Sequence, residues 1–148
     1  MNRADRLEPV QRIVDDTERR LAEHFAASER LVVNCEAKLA ELERYHTDYV
    51  QGFAQRAGGG IGAASLRDYQ AFLARLQEAI RQQTEIVERA KSDRDLQRQR
   101  WQQAAQRAKA LGNVVERWQA EERNINDRRE QRESDERAQQ SVQRRMDV

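Results

Sequence analysis

The sequence predicts an all-α protein: a long antiparallel two-helix coiled-coil hairpin with a Gly-rich turn near residue 61 and a polar helical or frayed C-terminal tail. Three observations predict it. Apolar residues recur at steps of three and four along most of the chain, the period of a helix that buries one stripe. Four of the six glycines stand at positions 58, 59, 60 and 62, where φ > 0 costs nothing and a chain can break a helix and reverse. The composition, 36% charged and 5% aromatic with a single proline, suits long helices far better than a globular core.

The first helix is expected over 5–57. Asp5 and Glu8 have the spacing of an N-cap and its partner three residues on, and Pro9 falls in the first turn, where proline is best tolerated. A heptad seam then runs from Leu7 through Val14, Leu21, Phe25, Val32, Cys35, Leu39, Leu42, His46 and Tyr49 to Phe53, with polar breaks at Gln11, Glu18 and Ser28.

A turn over 58–64 leads to the second helix, 65–125, with Ser65 as N-cap and Asp68 as its capping partner. Its seam holds one register from Leu66, Tyr69, Leu73, Leu76 and Ile80 through Val87, Trp101, Ala104 and Val115 to Trp118. Neither helix can bury its stripe alone. Folding at Ile61 meshes the two, because antiparallel partners then have residue numbers that sum to about 122. That register sets Phe53 against Tyr69, Tyr49 against Leu73, Leu42 against Ile80, Leu21 against Trp101 and Val14 against Ala108. In the middle it sets Ser28 against Arg94 and Phe25 against Gln97. Such polar layers either fix register at a cost in stability or mark a place where the hairpin bends.

Residues 126–148 contain good helix formers but no seam, with Ile125 nearly alone before them. They read as a solvated, fraying helix in the free protein, or as a tail that orders on a partner. The whole chain, 1–148, is expected to form one coiled-coil domain.

Charge and chemistry narrow the function. Residues 1–57 carry 9 basic and 11 acidic side chains, residues 58–125 carry 12 and 9, and the tail carries 6 and 6. No stretch supplies the basic stripe that nucleic acid requires. The single cysteine, Cys35, lies on the seam and reads as a small core residue suited to a reducing compartment. His24 and His46 have no second histidine or carboxylate cluster at metal-ligand spacing. The glycine turn lacks the lysine and Ser/Thr of a phosphate loop. Residues 1–8 do not read as a secretory signal, and no apolar run reaches the ~20 residues of a membrane span. A two-helix hairpin offers no concave site. The expectation is a non-enzyme without metal or cofactor, reaching a membrane only through partners.

The two flanks of the seam differ. One carries Ala22, Glu29, Glu36, Glu43 and Val50 with Gln70, Gln77, Thr84 and Lys91, a solvated face. The other carries Leu31, Lys38, Tyr45 and Gly52 with Phe72, Ala79 and Ile86. This apolar surplus is either a binding or oligomer surface or a widening of a thin core.

Three segments together resemble the flagellar export protein FliJ family: Glu36-Ala-Lys-Leu-Ala-Glu-Leu-Glu-Arg-Tyr-His-Thr-Asp-Tyr49, the glycine turn, and Leu66-Arg-Asp-Tyr-Gln-Ala-Phe-Leu-Ala-Arg-Leu-Gln-Glu-Ala-Ile-Arg-Gln-Gln83. The resemblance extends over nearly the whole chain. It implies a non-enzymatic component of the flagellar type III export apparatus, similar to the coiled-coil stalk of the rotary ATP synthase gamma subunit. It implies partners: the export ATPase FliI, its regulator FliH, the export gate protein FlhA and export chaperones. It also implies a cytoplasmic location, peripheral at the cytoplasmic face of the inner membrane. The family's gate-facing patch maps onto Lys38, Leu42, Tyr45, Tyr49, Phe72, Leu76, Ala79 and Gln83, with Lys38 and Gln83 departing from the family pattern. The competing class is a structural coiled coil that self-associates through the same flank.

Overall fold

The computed structural model describes residues 2–147. It consists of two α-helices, α1 (Arg3–Ala57) and α2 (Ala63–Met146), and no strand among the described residues. They pack against one another as an antiparallel hairpin. The chain divides into two compact units, one of Arg19–Gln102 and one of Met1–Glu18 with Gln103–Val148.

The unit of residues 19–102 contains the turn. α1 ends with its last bonds tightened to i→i+3 spacing: the Gly59 amide donates to the Arg56 carbonyl at 3.3 Å and the Gly60 amide to the Ala57 carbonyl at 3.1 Å. Gly60 has φ +87°, the only positive φ among the described residues, so the chain reverses where a side chain would strain it. Gly60→Ala is expected to cost about 1 kcal/mol, read as a lower thermal midpoint with unchanged helicity.

Two helix starts differ from the sequence expectation. α2 begins at Ala63, and its first bond runs from the Leu66 amide to the Gly62 carbonyl at 3.1 Å. Ser65 is therefore inside the helix and caps nothing. The glycines leave the chain free to enter the helix two residues early, without a side-chain cap. At the other start, Asn2 is the cap in place of Asp5. Its Oδ1 accepts from the Asp5 amide at 2.7 Å, which places Asp5 at the third helical position. There its negative charge suits the helix dipole. Pro9 then stands beyond the first turn, inside α1. It leaves the Asp5 carbonyl without its usual i+4 donor.

The seams are shielded as the heptads require. In the 19–102 unit, Val32 and Val87 are 4% and 3% exposed, with Leu76 and Ala90 also buried. In the other unit Ala4, Ala104 and Val115 are buried. Every seam position expected on α1 is at least partly covered. On α2 the exception is Leu66, 42% exposed. Its opposite position in the register is Arg56, in the last turn of α1, so it has no apolar surface to meet.

The polar middle also packs. Ser28 is buried with its hydroxyl donating to the Phe25 carbonyl at 2.6 Å. Phe25 stacks on Trp101 with centroids 5.7 Å apart, and the Arg98 guanidinium lies 5.5 Å from the Phe25 ring. The ring thus meets Trp101, one turn beyond its expected partner Gln97. Side chains on a helix lean toward its N-terminus, and in an antiparallel pair with this stagger that lean brings the two rings together.

In the unit holding both chain ends, the Arg3 guanidinium sits 4.7 Å from the Trp118 ring centroid and pairs with Glu121 at 3.1 Å. Asn2 also donates to Glu122. Beyond 122 the helix continues to Met146 with every described residue exposed. The tail, expected as a solvated helical or frayed segment, is helical and makes no seam. Good helix formers and local contacts such as Gln131 with Asp135 at 3.2 Å accompany it.

Candidate functional site

The turn half of the 19–102 unit holds five of the eight aromatic residues, Tyr45, Tyr49, Phe53, Tyr69 and Phe72, in one connected cluster. The register creates it. Phe53 and Tyr69 are opposed seam residues and stack at 3.6 Å between centroids. Tyr49, one turn back on α1, stacks on Tyr69 at 5.3 Å and touches Phe72 at 4.5 Å. Phe72 lies off the seam, three residues beyond Tyr69, and turns the cluster outward. Tyr45 closes it, edge-on to Phe72 at 6.1 Å and stacked on Tyr49 at 6.5 Å.

The cluster therefore runs from a shielded end to a wet one. Phe53, Tyr69, Tyr49 and Phe72 are partly covered, whereas Tyr45 is 53% exposed. An exposed aromatic braced by other rings is a pre-ordered contact surface. It loses little rotamer freedom on binding, and its hydroxyl is hydrated until a partner arrives. Further from the turn the same flank exposes Leu31 at 50% and Ile86 at 38%. The opposite flank is closed by an ion pair between the helices, Glu36 with Lys91 at 3.5 Å.

The eight residues mapped from the resemblance fall into three environments. Lys38 and Tyr45 are exposed. Leu42, Tyr49, Phe72 and Ala79 are partly covered. Leu76 and Gln83 are buried. The Gln83 amide donates across the hairpin to the Cys35 carbonyl at 3.0 Å, which gives this polar seam residue a structural task. A partner can reach Tyr45, Phe72, Lys38 and Ala79 on the closed hairpin. Leu76 and Gln83 support the face from beneath.

Sequence reasoning missed the bond from Gln83 to the Cys35 carbonyl, because a backbone acceptor leaves no mark in a side-chain pattern. It also missed the Glu36–Lys91 pair, although opposite charges at facing flank positions were available as a signal. An open cleft of about 390 Å³ lies beside the turn, lined by Tyr49, Phe53, Arg56, Asp68 and Tyr69. On the outer side of α2, Arg81 bridges Glu78 at 2.5 Å and Glu85 at 2.7 Å. The hydrogen bond from Arg81 holds the Glu78 carboxyl below its ordinary range. Among the described residues no group of three or more His, Cys, Asp or Glu side chains could hold a metal ion. No described helix is long and apolar enough to cross a membrane.

Two long helices packed on a heptad seam place the chain in the class of coiled-coil hairpin proteins. The family model of the flagellar FliJ protein matches residues 2–147, and the chain belongs to that family. It is an export-related flagellar protein. No curated protein and no solved structure matches the chain.

Proposed function

We propose that this protein is a non-enzymatic stalk and escort of the flagellar type III export apparatus, linking the ATPase complex to the export gate and to export chaperones. Its partners are the ATPase FliI, its regulator FliH, the gate protein FlhA and the chaperones. It works in the cytoplasm, held at the inner face of the membrane by those partners. The observation that carries this reading is the exposed, ring-braced Tyr45 on the turn half of a chain that the FliJ family covers almost end to end.

The two units support a division of labour within this reading. The turn half of the 19–102 unit docks on the gate. The unit with both chain ends engages the ATPase ring through its mixed-charge extension, which has six basic and six acidic side chains after residue 125. Such a helix suits a wet channel because it requires no fixed apolar socket. The test is reconstitution from purified components, in which the protein should bring the ATPase complex and the soluble gate domain into one co-eluting assembly. If the two partners never co-elute in its presence, the linking role is wrong.

Deleting residues 126–148 is expected to leave the thermal melt nearly unchanged, since the exposed helix contributes no seam. It should weaken the effect of the protein on ATP hydrolysis by the ring. Loss of helicity throughout the hairpin would contradict this division.

A further inference from the structure

The polar layer in the middle of the 19–102 unit is built unlike the layers beside it. Toward the turn the two helices are tied together. Val32 and Ala90 hold opposed seam positions and are 4% and 7% exposed. The Gln83 amide crosses to the Cys35 carbonyl at 3.0 Å, and Lys91 reaches Glu36 at 3.5 Å. One turn further from the loop, Ser28 and Arg94 take the opposed seam positions, with Gln97 next on the α2 seam. Here every polar side chain turns back to its own helix. Ser28 donates to the Phe25 carbonyl at 2.6 Å. Arg94 donates to Asp95 at 3.1 and 3.2 Å, with its side chain only 25% exposed. Gln97 donates to Asp93 at 3.3 Å, and its carboxamide oxygen is buried without a hydrogen-bond partner.

Opening this layer therefore breaks no hydrogen bond between the helices. It brings the Gln97 oxygen and the Arg94 guanidinium, both poorly solvated when the layer is closed, into water. Ser28 has almost no apolar surface whose exposure would oppose the opening. The neighbouring layers lack this balance. Separating Val32 from Ala90 exposes apolar surface, opening the next layer breaks the Gln83 bond, and parting Phe25 from Trp101 undoes a ring stack at 5.7 Å. The covalent turn at Gly60 already limits the register of the hairpin, so the polar layer is not needed for the task such residues have in many coiled coils.

We infer that Ser28, Arg94 and Gln97 form a soft joint in the hairpin, where α1 and α2 part locally under native conditions while the seam from Val32 and Ala90 to the turn stays closed. This goes beyond the stalk reading and does not depend on which partners bind. Local opening uncouples the Phe25–Trp101 stack from the apolar seam beyond Val32, so that one can rearrange without unpacking the other.

The test measures how fast buried seam thiols react with iodoacetamide, an uncharged probe, in the full chain carrying Cys35→Ala. One protein carries Ser28→Cys and a second carries Ala90→Cys. Both are small changes at positions equally shielded in the closed hairpin, 6% and 7% exposed. Rates are compared at their high-pH plateau, where each thiol is fully ionised and the charge of Arg94 no longer sets the thiolate fraction. Position 28 should react at least tenfold faster than position 90. Adding Arg94→Leu with Gln97→Leu should slow position 28 at least tenfold and leave position 90 unchanged. Gln97→Leu alone, which removes the orphaned oxygen without altering charge, should slow position 28 in the same direction and serves if the double leucine variant fails to fold. A rate at 28 equal to or below that at 90 would show that the seam opens as one and would overturn the joint. A rate at 28 that the leucines do not lower, in a variant that circular dichroism shows to be helical, would overturn its polar cause.

Discussion

Replacing Tyr45 and Phe72 together with alanine is expected to lower binding to the soluble gate domain at least tenfold, while association with the ATPase complex persists. Tenfold corresponds to ~1.4 kcal/mol, the scale of one hot-spot aromatic. The two substitutions are not equivalent in the fold. Tyr45 is 53% exposed, and its nearest ring contacts lie at 6.1 and 6.5 Å, so its loss removes surface more than core. Phe72 is partly covered and packs 4.5 Å from Tyr49, so its truncation also loosens the cluster. Far-UV circular dichroism and a thermal melt should therefore show full helicity and a modestly lower midpoint. Tyr45→Ala with Phe72→Leu keeps a side chain against Tyr49 and separates docking from packing. That variant should regain the midpoint and still bind weakly.

Trp101→Ala should produce the largest loss of stability of any single truncation considered for this chain. Truncating a buried tryptophan costs about 3–5 kcal/mol, and the partial exposure of Trp101 places it near ~3 kcal/mol. The ring is stacked on Phe25, which is itself covered by Arg98. Removing it uncovers the Phe25 ring in a layer bordered by the polar seam residue Gln97. Gln97 already has a buried carboxamide oxygen without a hydrogen-bond partner. Urea titration followed by circular dichroism should give a lower midpoint with an unchanged slope. Gate binding measured well below that midpoint should be unaffected, because Trp101 is far along the helices from Tyr45.

The hairpin was legible because its cause is periodic. Each seam position requires an apolar residue every three or four places, and that requirement is written directly in the sequence from Leu7 to Phe53 and from Tyr69 to Trp118. What was misread depended on the ends. Leu66 keeps the period but sits where α1 has run out of apolar surface to offer. Ser65 and Asp5 have the chemistry of caps, yet the helices begin at Ala63 and Arg3. A cap is decided by where the backbone enters the helix, which a glycine turn or one extra N-terminal residue can move. Ala4, buried at the start of the seam, was missed because a lone alanine carries little hydrophobic signal.

The candidate face was partly legible for the same reason. A surplus of apolar residues at Leu31, Tyr45, Phe72 and Ile86 is a pattern. The order of exposure within it is not, because it depends on which rings brace one another. Leu76 and Gln83 belong to the mapped set by position, yet they are buried beneath the face.

The central claim is that Tyr45 and its neighbours touch the export gate. A photo-crosslinking amino acid placed at Tyr45, and in a second protein at Glu43 on the opposite flank of the same turn of α1, tests it most directly. Each protein is irradiated with the soluble gate domain. The account predicts a crosslink to the gate from position 45 and none from position 43. Equal crosslinking from both positions, or crosslinking from 43 alone, would contradict it.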